Sequence, residues 1–380
     1  MEEGTACCTL FSFRYGEKLI IRHFIVISLR KTGGLSRAQK VKPNFFLVKA
    51  IIPVAGAGTK LRPLTYTQPK ALIPIAGKTI LSVIVDQLLD AGVTEFVFVI
   101  GYLGEKIQRY IAKTYPNLNY TLITQNDRRG TGHAIYLTKD AIGEDEVMIV
   151  LGDTVCDYNV KEILGSSVSQ IGVKKVDDPR SFGVAELSDN DKVQKVVEKP
   201  LIPKSNMAMV GLYYIKETKQ LYEALSRHLN DRIDAEEGEY HLTNALQYMI
   251  EQGTGFQAFR VNNWFDCGKK ESLLFTNAVL LKAQTDEATE PIKYPFDTTV
   301  IIHPVSIAEG CKIYNSIIGP NVTIGEHTTI DSSIIKDSII GSYAELEEVV
   351  LHSSIIGNDA YVRGLSQSLN IGDNTEIDLG

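Results

Sequence analysis

Short apolar runs alternate with amphipathic stretches from residue 48 to about residue 151, and this alternation predicts the first elements of the chain. Apolar runs predict strands at residues 50–54, 95–100, 120–124 and 147–151. The stretches between them predict helices at residues 80–91, 104–115 and 132–141. Strands that alternate with helices form a doubly wound α/β sheet, in which ligands bind beyond the carboxyl ends of the strands. Later strands follow a less regular order, so we expect a mixed sheet that ends with a helix from residue 269 to about residue 283.

The hydrophobic period changes after residue 298. Ile-Gly pairs recur at Ile324, Ile340, Ile356 and Ile371, at spacings of 16, 16 and 15 residues. Six residues after each isoleucine stands another apolar residue, namely Ile330, Leu346, Val362 and Ile377. We expect apolar residues six apart to stack on one wall of a β-helix coil, while the turns stay polar.

These changes of pattern divide the chain. We predict an α/β domain at residues 48–285, a polar linker with two prolines at residues 286–297, and a β-helix at residues 298–380. Residues 1–47 show no clean period, although residues 24–29 can form a strand, and we treat them as an N-terminal extension.

Composition and charge narrow the classes of function. The 380 residues are 44% hydrophobic and 22% charged, which is typical of a soluble globular protein. The 39 basic and 46 acidic residues give a net charge of −7, which argues against binding to nucleic acid or an acidic membrane as the main role. The most apolar early stretch, residues 19–29, is too short to span a bilayer. The five cysteines lack paired spacing, so we expect neither disulfides nor a zinc site, and a reducing cytoplasm fits.

A glycine-rich loop with two nearby lysines follows the first predicted strand. The string Lys49-Ala-Ile-Ile-Pro-Val-Ala-Gly-Ala-Gly-Thr-Lys60 places Gly56 and Gly58 where backbone N–H groups can turn toward an anion without Cβ atoms in the way. Lys60 and Lys70 add positive charge to the same region. We therefore predict a polyphosphate site, and an ordinary strand-to-helix turn with solvated lysines is the alternative.

This string resembles the signature of sugar-phosphate nucleotidylyltransferases, Gly-x-Gly-Thr-Arg-Leu-x-Pro with a downstream Pro-Lys. The resemblance implies catalytic roles for Lys60 and Lys70, and nucleotide binding by Ala55, Gly56, Ala57, Gly58 and Thr59. Lys60 replaces the family's arginine and keeps its charge, but it loses the planar fork that grips two phosphate oxygens at once. The family's chain normally begins at the position of Val48, so we expect residues 1–47 to be upstream sequence, with a genuine appendage as the alternative.

The loop after the third predicted strand resembles the family's nucleobase site. It contains Gln125, Gly130, Thr131 and Gly132, and in the family an equivalent glutamine and glycine-rich turn read the edge of the base. The Gln125 amide can both donate and accept hydrogen bonds, which is the pattern that thymine or uracil requires. A polar loop with a helix cap is the alternative.

Asp153 and Asp266 are the candidate ligands of Mg²⁺. Asp153 follows a predicted strand in Leu151-Gly-Asp-Thr, and Mg²⁺ binds few protein carboxylates and fills its shell with water and phosphate oxygens. The string Asn263-Trp-Phe-Asp-Cys-Gly resembles the family's Trp-x-Asp-x-Gly, whose aspartate is the second metal ligand. A structural turn at Asp153 is the alternative.

Three short strings resemble the sugar-binding half of the family. Phe182-Gly183-Val-Ala-Glu implies that backbone approaches the hexose at Gly183. Val197-Glu198-Lys199-Pro implies an acceptor for sugar hydroxyls at Glu198 and a cation for the sugar phosphate at Lys199. Val210-Gly211-Leu-Tyr is the third string. Each string is common by itself, and their order carries the resemblance.

The motifs together predict a Mg²⁺-dependent enzyme that joins a nucleoside triphosphate to a sugar 1-phosphate and releases pyrophosphate. We expect dTTP and glucose 1-phosphate as substrates, with UTP as the alternative because thymine and uracil share the edge that Gln125 would read. The C-terminal repeats resemble the left-handed β-helix of hexapeptide-repeat proteins, which implies a homo-oligomer. Since every candidate site residue precedes residue 298, we expect the chemistry largely to persist without the β-helix.

Two other classes of function stay open. Hexapeptide β-helices often carry acyl transfer with a histidine base, and His303, His327 and His352 lie in the repeats. The second is a non-catalytic regulatory homologue, for which Lys60 is the only hint.

Overall fold

The computed structural model describes residues 12–15, 18–21, 48–231, 239–287 and 294–364. The predicted strand at residues 24–29 and the last pair of predicted repeat positions, Ile371 and Ile377, lie outside the described residues. The chain separates into two compact units, residues 1–44 and residues 45–380. In the first unit, β1 (Ser12–Tyr15) and β2 (Lys18–Ile21) pair in antiparallel register.

The second unit begins with an α/β domain. Its first half consists of β3 (Val48–Pro53), β4 (Pro74–Ile75), β5 (Lys78–Thr79), α1 (Ile80–Ala91), β6 (Glu95–Ile100), α2 (Gly104–Thr114), β7 (Asn119–Thr124), α3 (Gly130–Tyr136), α4 (Lys139–Ile142) and β8 (Glu146–Val150). Its second half consists of β9 (Thr154–Asp157), α5 (Val160–Leu164), β10 (Ser169–Lys175), β11 (Gly183–Leu187), β12 (Val193–Glu198), β13 (Met207–Ile215), α6 (Thr218–Asp231), α7 (Leu242–Glu251), β14 (Phe256–Arg260), β15 (Asn263–Asp266) and α8 (Lys270–Glu287).

The main sheet is mixed, as predicted. Its strand order is β12-β11-β13-β8-β3-β6-β7, and β10 pairs with both β13 and β14. The pairs β3–β6, β3–β8 and β6–β7 are parallel, whereas β13 runs antiparallel to β8. Successive residues of β6 face opposite sides of the sheet, so that Phe96 and Phe98 join one hydrophobic core and Val97 and Val99 join the other.

Local sequence explains the best predicted helix. α1 has the predicted bounds, because the Thr79 side chain caps its first turn by accepting from the Ser82 backbone N–H at 3.1 Å. Gly92, with φ of 97°, then ends the helix in the left-handed conformation that glycine adopts freely.

The helix predicted at residues 132–141 is wrong in detail. Two helices replace it, α3 from Gly130 and α4 from Lys139, with a turn between them. The buried Thr138 hydroxyl donates back to the Ile135 carbonyl at 2.7 Å and contacts the Tyr222 hydroxyl at 2.7 Å. Such side-chain bonding to the preceding turn competes with a continuous helix. At the end of the domain, α8 runs to Glu287, beyond the predicted helix end near residue 283.

The C-terminal repeats form a parallel β-helix with three walls. Its strands are β16 (Val300–Ile301), β17 (Val305–Ile307), β18 (Lys312–Tyr314), β19 (Ile317–Ile318), β20 (Val322–Ile324), β21 (Thr329–Asp331), β22 (Ile334–Lys336), β23 (Ile339–Ile340), β24 (Glu345–Glu347), β25 (Val350–His352), β26 (Ile355–Ile356) and β27 (Tyr361–Arg363). The walls are β16-β19-β22-β25, β17-β20-β23-β26 and β18-β21-β24-β27. The predicted β-helix is thereby confirmed.

The predicted stacking within the coils needs a correction. Residues six apart, such as Ile324 in β20 and Ile330 in β21, lie on successive walls, because each coil is built of three short strands. Residues 16 apart stack on the same wall, so that Ile324, Ile340 and Ile356 align. Among the described residues, no helix has both the length and the apolar character that crossing a membrane requires.

The side chains that point into the β-helix, among them Leu346, should contribute most of its stability. Leu346→Ala removes a fully buried side chain and should lower the free energy of unfolding by about 2–5 kcal/mol. Glu345→Ala, on the exposed face of the same strand, should change it by only about 0.5 kcal/mol. Denaturant unfolding of both variants checks this prediction, and equal destabilisation would contradict the inward assignment of Leu346.

Candidate active site

A cavity of about 1010 Å³ lies at the carboxyl ends of β3 and β8. Of the site residues predicted from the sequence, only Gly132 is not among the residues that line this cavity. Its N–H instead donates to the Tyr240 carbonyl at 2.7 Å, beside the cavity wall. The fold therefore brings the predicted nucleotide, metal and sugar residues into one cleft.

The glycine-rich loop crosses the cleft directly after β3. Gly58 has φ of 61°, and a Cβ on it would lie 3.0 Å from Thr65 Cγ2 and 3.1 Å from Lys70 Cβ. The Thr65 hydroxyl donates to the Gly58 carbonyl at 2.8 Å and fixes the turn. Gly58 is thus required by both torsion and packing. A Cβ on Gly56 would meet no atom within 4 Å, so this part of the loop leaves room for a ligand.

Two segments that are distant in sequence bring Asp153 and Asp266 together. Asp153 follows β8, and β9 after it pairs with β15 so that Thr154 stands opposite Asp266. The Cys267 N–H also donates to the Asp153 carbonyl at 3.2 Å. The Lys70 ammonium donates to Asp153 Oδ2 at 2.5 Å.

The charges of this cluster act on one another. Burial and the nearby Asp153 carboxylate raise the pKa of Asp266, while Lys70 and Lys60 oppose that rise. Two carboxylates with open space beside them suit Mg²⁺, which takes its remaining ligands from water and phosphate. Within the described part of the chain, no group of three or more His, Cys, Asp or Glu side chains forms a more crowded metal site. The pair Asp153 and Asp266 is therefore the candidate metal centre.

Gln125 is buried, and its amide nitrogen bonds within the protein. Nε2 lies 3.1 Å from the Gly130 carbonyl and 3.1 Å from His133 Nδ1. Burial and the Arg129 guanidinium lower the pKa of His133, which favours the neutral ring that accepts from the amide. Both donors of the amide are therefore engaged, and only its oxygen has capacity left for a base. This differs from the expectation that Gln125 would both donate and accept.

The sugar-binding strings also meet in the cleft. Gly183 and Glu198 pair across β11 and β12, and a Cβ on Gly183 would lie 3.2 Å from Glu198 Oε2. Lys199 Nζ lies 3.7 Å from Glu198 Oε1. Gly211 has φ of 82°, and a Cβ on it would lie 2.8 Å from Thr154 Oγ1. Packing against the loop after β8 therefore already explains this glycine.

Comparison with known proteins identifies the family. A profile of the nucleotidyl transferase family matches residues 49–283. The chain belongs to this family. It is 31% identical over 349 residues to a glucose-1-phosphate thymidylyltransferase of Streptomyces antibioticus, covering 87% of this chain and 93% of the relative. It is 32% identical over 251 residues to the UTP–glucose-1-phosphate uridylyltransferase AglF of Haloferax volcanii, covering 64% of this chain and all of the relative.

A solved structure supports the fold of this nucleotidyl transferase. The crystal structure of a UDP-glucose pyrophosphorylase complexed with UDP-glucose aligns with a TM-score of 0.55 at 23% identity. It covers 62% of this chain and 99% of that protein. The predicted family resemblance and the predicted enzyme class are confirmed, and the chain is a sugar-phosphate nucleotidyltransferase.

One part of the cleft, residues 239–243, was not predicted from the sequence. Residues 239–243 pack beneath the Gly130 loop, where the Tyr240 N–H donates to the Arg129 carbonyl at 2.9 Å and the Arg129 guanidinium lies 4.9 Å from the Tyr240 ring centre. The Thr243 hydroxyl donates to Glu198 Oε2 at 2.6 Å. This segment lies more than 100 residues after the loop that it supports and carries no distinctive motif, so only the fold reveals it.

The contact between Gly130 and Tyr240 gives a test of the nucleotide loop. In Gly130→Ala the new Cβ would lie 2.5 Å from the Tyr240 carbonyl oxygen, at a φ of 88°. We expect the loop to shift and nucleotide affinity to fall about tenfold or more, since an overpacked contact of this kind costs about 1–3 kcal/mol.

Gly253→Ala is the matched control, because its φ is 95° but no atom lies within 4 Å of the new Cβ. Calorimetric titration with nucleotide compares the two variants. Equal losses of affinity would attribute the effect to backbone strain alone and would contradict the packing account.

Proposed function

We propose that this nucleotidyl transferase is a glucose-1-phosphate thymidylyltransferase, which converts dTTP and glucose 1-phosphate into dTDP-glucose and pyrophosphate. The observation that carries the proposal is the cluster of Lys70, Asp153 and Asp266 beside the glycine-rich loop, in the same cleft as Gln125 and Glu198. A cation, paired carboxylates and an open loop suit a triphosphate that reacts there.

In the proposed reaction, a phosphate oxygen of glucose 1-phosphate forms a bond to the α-phosphorus of the triphosphate. The bond from the α-phosphorus to the bridging oxygen breaks in line, and that oxygen leaves with pyrophosphate. Lys70 and Lys60 neutralise the negative charge that shifts between the phosphates. Asp153 and Asp266 would hold Mg²⁺, which when bound supplies further neutralisation of the triphosphate. The protein positions and neutralises, and no covalent nucleophile is required.

The engaged donors of Gln125 support recognition of an imide base. Its free oxygen can accept from the imide N–H that thymine and uracil share, whereas cytosine presents an acceptor at that position. We place dTTP first because the thymidylyltransferase relative matches 87% of this chain, whereas the uridylyltransferase relative matches 64%. UTP is the alternative nucleotide.

We further propose that Glu198 accepts hydrogen bonds from sugar hydroxyls, that Lys199 neutralises the sugar phosphate, and that backbone at Gly183 and Gly211 contacts the sugar. The hydrogen bond from Thr243 leaves Glu198 Oε1 as the acceptor with the greater remaining capacity. His241 Nδ1 lies 3.8 Å from that oxygen. The hydrogen bond from Thr243 therefore orients the Glu198 carboxylate.

The direct test is pyrophosphate release from purified protein with dTTP or UTP and a panel of hexose 1-phosphates. We expect the highest kcat/KM for dTTP with glucose 1-phosphate. A preference for UTP would establish the alternative nucleotide. Free thiol from acetyl-CoA without pyrophosphate would indicate the acyltransferase, and neither product would indicate a non-catalytic homologue.

The paired carboxylates give a first prediction for this function. Asp153→Asn and Asp266→Asn each remove one charge from the proposed metal centre, so kcat should fall by roughly 100-fold or more. Asp157→Asn is the control, because Asp157 is an exposed residue of β9 that does not line the cavity. Initial rates at limiting Mg²⁺ check the prediction, and a near-normal rate in either cleft variant would remove the metal assignment.

Lys70 gives a second prediction. If it neutralises charge in the transition state, Lys70→Ala should lose about 2–4 kcal/mol of stabilisation, which appears in kcat far more than in KM. Lys216→Ala is the matched control. The Lys216 ammonium lies 2.6 Å from Glu146 Oε1, and neither residue lines the cleft. Steady-state kinetics of both variants distinguish a loss in kcat from a rise in KM. A rise in KM alone would make Lys70 a binding residue.

The homo-oligomer is also a proposal, and the outer face of one β-helix wall supports it. Val300, Ile317, Ile334 and Val350 stand in register on this wall and are 57%, 38%, 45% and 77% exposed. An aliphatic ladder of this kind is suited to a second copy of the same chain.

The Ile334→Lys and Val350→Lys double variant should therefore reduce the mass measured by light scattering, because two lysines would be buried in the proposed contact. Leu201→Lys, which changes an exposed leucine of the α/β domain, should leave it unchanged. An unchanged mass in the double variant would contradict this interface.

A further inference from the structure

The stretch that carries Lys60 and Lys70, residues 59–79, has little regular structure of its own, and we name it the lysine segment. It consists of three 3-10 helices of three residues each, Thr59–Leu61, Leu64–Tyr66 and Lys70–Leu72, followed by the hairpin of β4 and β5. Short 3-10 helices and two-residue strands have little intrinsic stability. The position of Lys70 must therefore come from what packs against this segment.

One wall of the β-helix packs against the lysine segment. Ser306, Thr323, Ile339 and Ile355 stand in register on the outer face of the wall β17-β20-β23-β26, and we name them the covered ladder. Thr323 and Ile339 are 1% and 0% exposed, in contrast to the open aliphatic ladder of the neighbouring wall. Ile339 belongs to the same hydrophobic core as Leu72, Ile73 and Ile75 of the lysine segment.

The β-helix and the lysine segment also meet at both ends of this contact. A Cβ on Gly77, in the turn of the hairpin, would lie 2.3 Å from Ser306 Oγ. A Cβ on Gly357 would lie 3.5 Å from Leu64 Cδ1. The β-helix therefore contacts the lysine segment from its second 3-10 helix to its hairpin.

Asn277 of α8 connects the two parts. Its side chain is fully buried, and Oδ1 accepts from the Ala76 N–H at 2.8 Å and from the Thr323 hydroxyl at 2.6 Å. Nδ2 donates to the Asn321 carbonyl at 3.1 Å. From the same helix, Gln284 Nε2 donates to the Ala76 carbonyl at 3.1 Å. Ala76 has φ of 47°, so its peptide groups are held in a turn that a residue with a side chain adopts reluctantly.

We propose that Asn277 is a positioning residue of the transfer reaction, which ties the β-helix to the lysine segment and thereby holds Lys70 against Asp153. Lys70 is connected to this junction through Ile73, whose N–H donates to the Lys70 carbonyl at 3.1 Å. The buried side chains of Leu72 and Ile73 lie in the same hydrophobic core as Ile339 of the covered ladder. Although every site residue precedes residue 298, the chemistry depends on the β-helix. This inference rests on the catalytic role proposed for Lys70.

The test compares three substitutions at the junction. Asn277→Leu keeps the size of the side chain but leaves the Ala76 N–H and the Asn321 carbonyl without their partner. Because a misplacement of about 1 Å can cost about 100-fold in rate, we expect kcat to fall roughly 10- to 100-fold while both KM values stay within about twofold. Thr323→Val, which loses one hydroxyl donor, should lower kcat less than Asn277→Leu does. Thr323→Ser, which keeps the hydroxyl, should retain the kcat of the unchanged protein.

Ser169→Ala controls for general loss of stability. Ser169 is fully buried, its hydroxyl donates to Glu217, and it accepts from the Lys216 N–H at 2.9 Å, outside the residues that line the cleft. All assays run well below the melting temperature of every variant. If Ser169→Ala lowers kcat as far as Asn277→Leu, or if Asn277→Leu keeps the kcat of the unchanged protein, the proposal is overturned. If Asn277→Leu does not fold, Thr323→Val and Thr323→Ser decide by the same criterion.

Hydrogen exchange separates this proposal from the proposed function. Peptides from residues 59–79 should exchange faster in Asn277→Leu, while peptides from β6 should not change. If the unchanged protein releases no pyrophosphate, the proposed function fails, and exchange alone decides the inference. Faster exchange confined to the lysine segment supports the positioning role, and unchanged exchange there overturns it.

Discussion

The repulsion between Asp153 and Asp266 is the constraint on which the cleft depends. The β9–β15 ladder forces the two carboxylates together, and the raised pKa of Asp266 reports both burial and the neighbouring charge. Repulsion between like charges of this kind is relieved by cations close by. Lys70 meets this need at 2.5 Å from Asp153. The same charges suit a metal-bound triphosphate. Lys70 therefore offsets the two carboxylates and is also placed for the catalytic role that we propose for it.

The support of Lys70 comes from parts of the chain that follow it by 200 residues or more. α8 and the covered ladder of the β-helix both contact the hairpin after Lys70, through Asn277 and Ser306. The two outer ladders of the β-helix therefore differ in role. One is buried against the active-site domain, and the other is open and available to a second copy. The β-helix thus packs against the segment that carries Lys70, and it also presents the exposed ladder to which we assign the proposed contact with a second copy.

The sequence predicted what depends on local pattern. α1 and β6 have the predicted bounds, because capping residues delimit α1 and a short apolar run delimits β6. At the break between α3 and α4, the Thr138 hydroxyl that donates back to Ile135 also contacts the Tyr222 hydroxyl, which lies 84 residues away. The support of Gly130 by Tyr240 and the junction at Asn277 also depend on distant partners, whereas Gly130 and His133, which engage the donors of Gln125, lie within eight residues of it. Pattern alone could place the candidate residues on one sheet edge but could not show what holds them there.

In the proposed reaction both substrates meet in one cleft, and the nucleotidyl group passes directly between them without a protein nucleophile. Isotope exchange between labelled pyrophosphate and the nucleoside triphosphate tests this most directly. We expect label to enter the triphosphate only when glucose 1-phosphate is also present, because the reverse reaction requires the nucleotide sugar. Exchange at a comparable rate without any sugar phosphate would show a nucleotidylated protein intermediate and would contradict direct transfer.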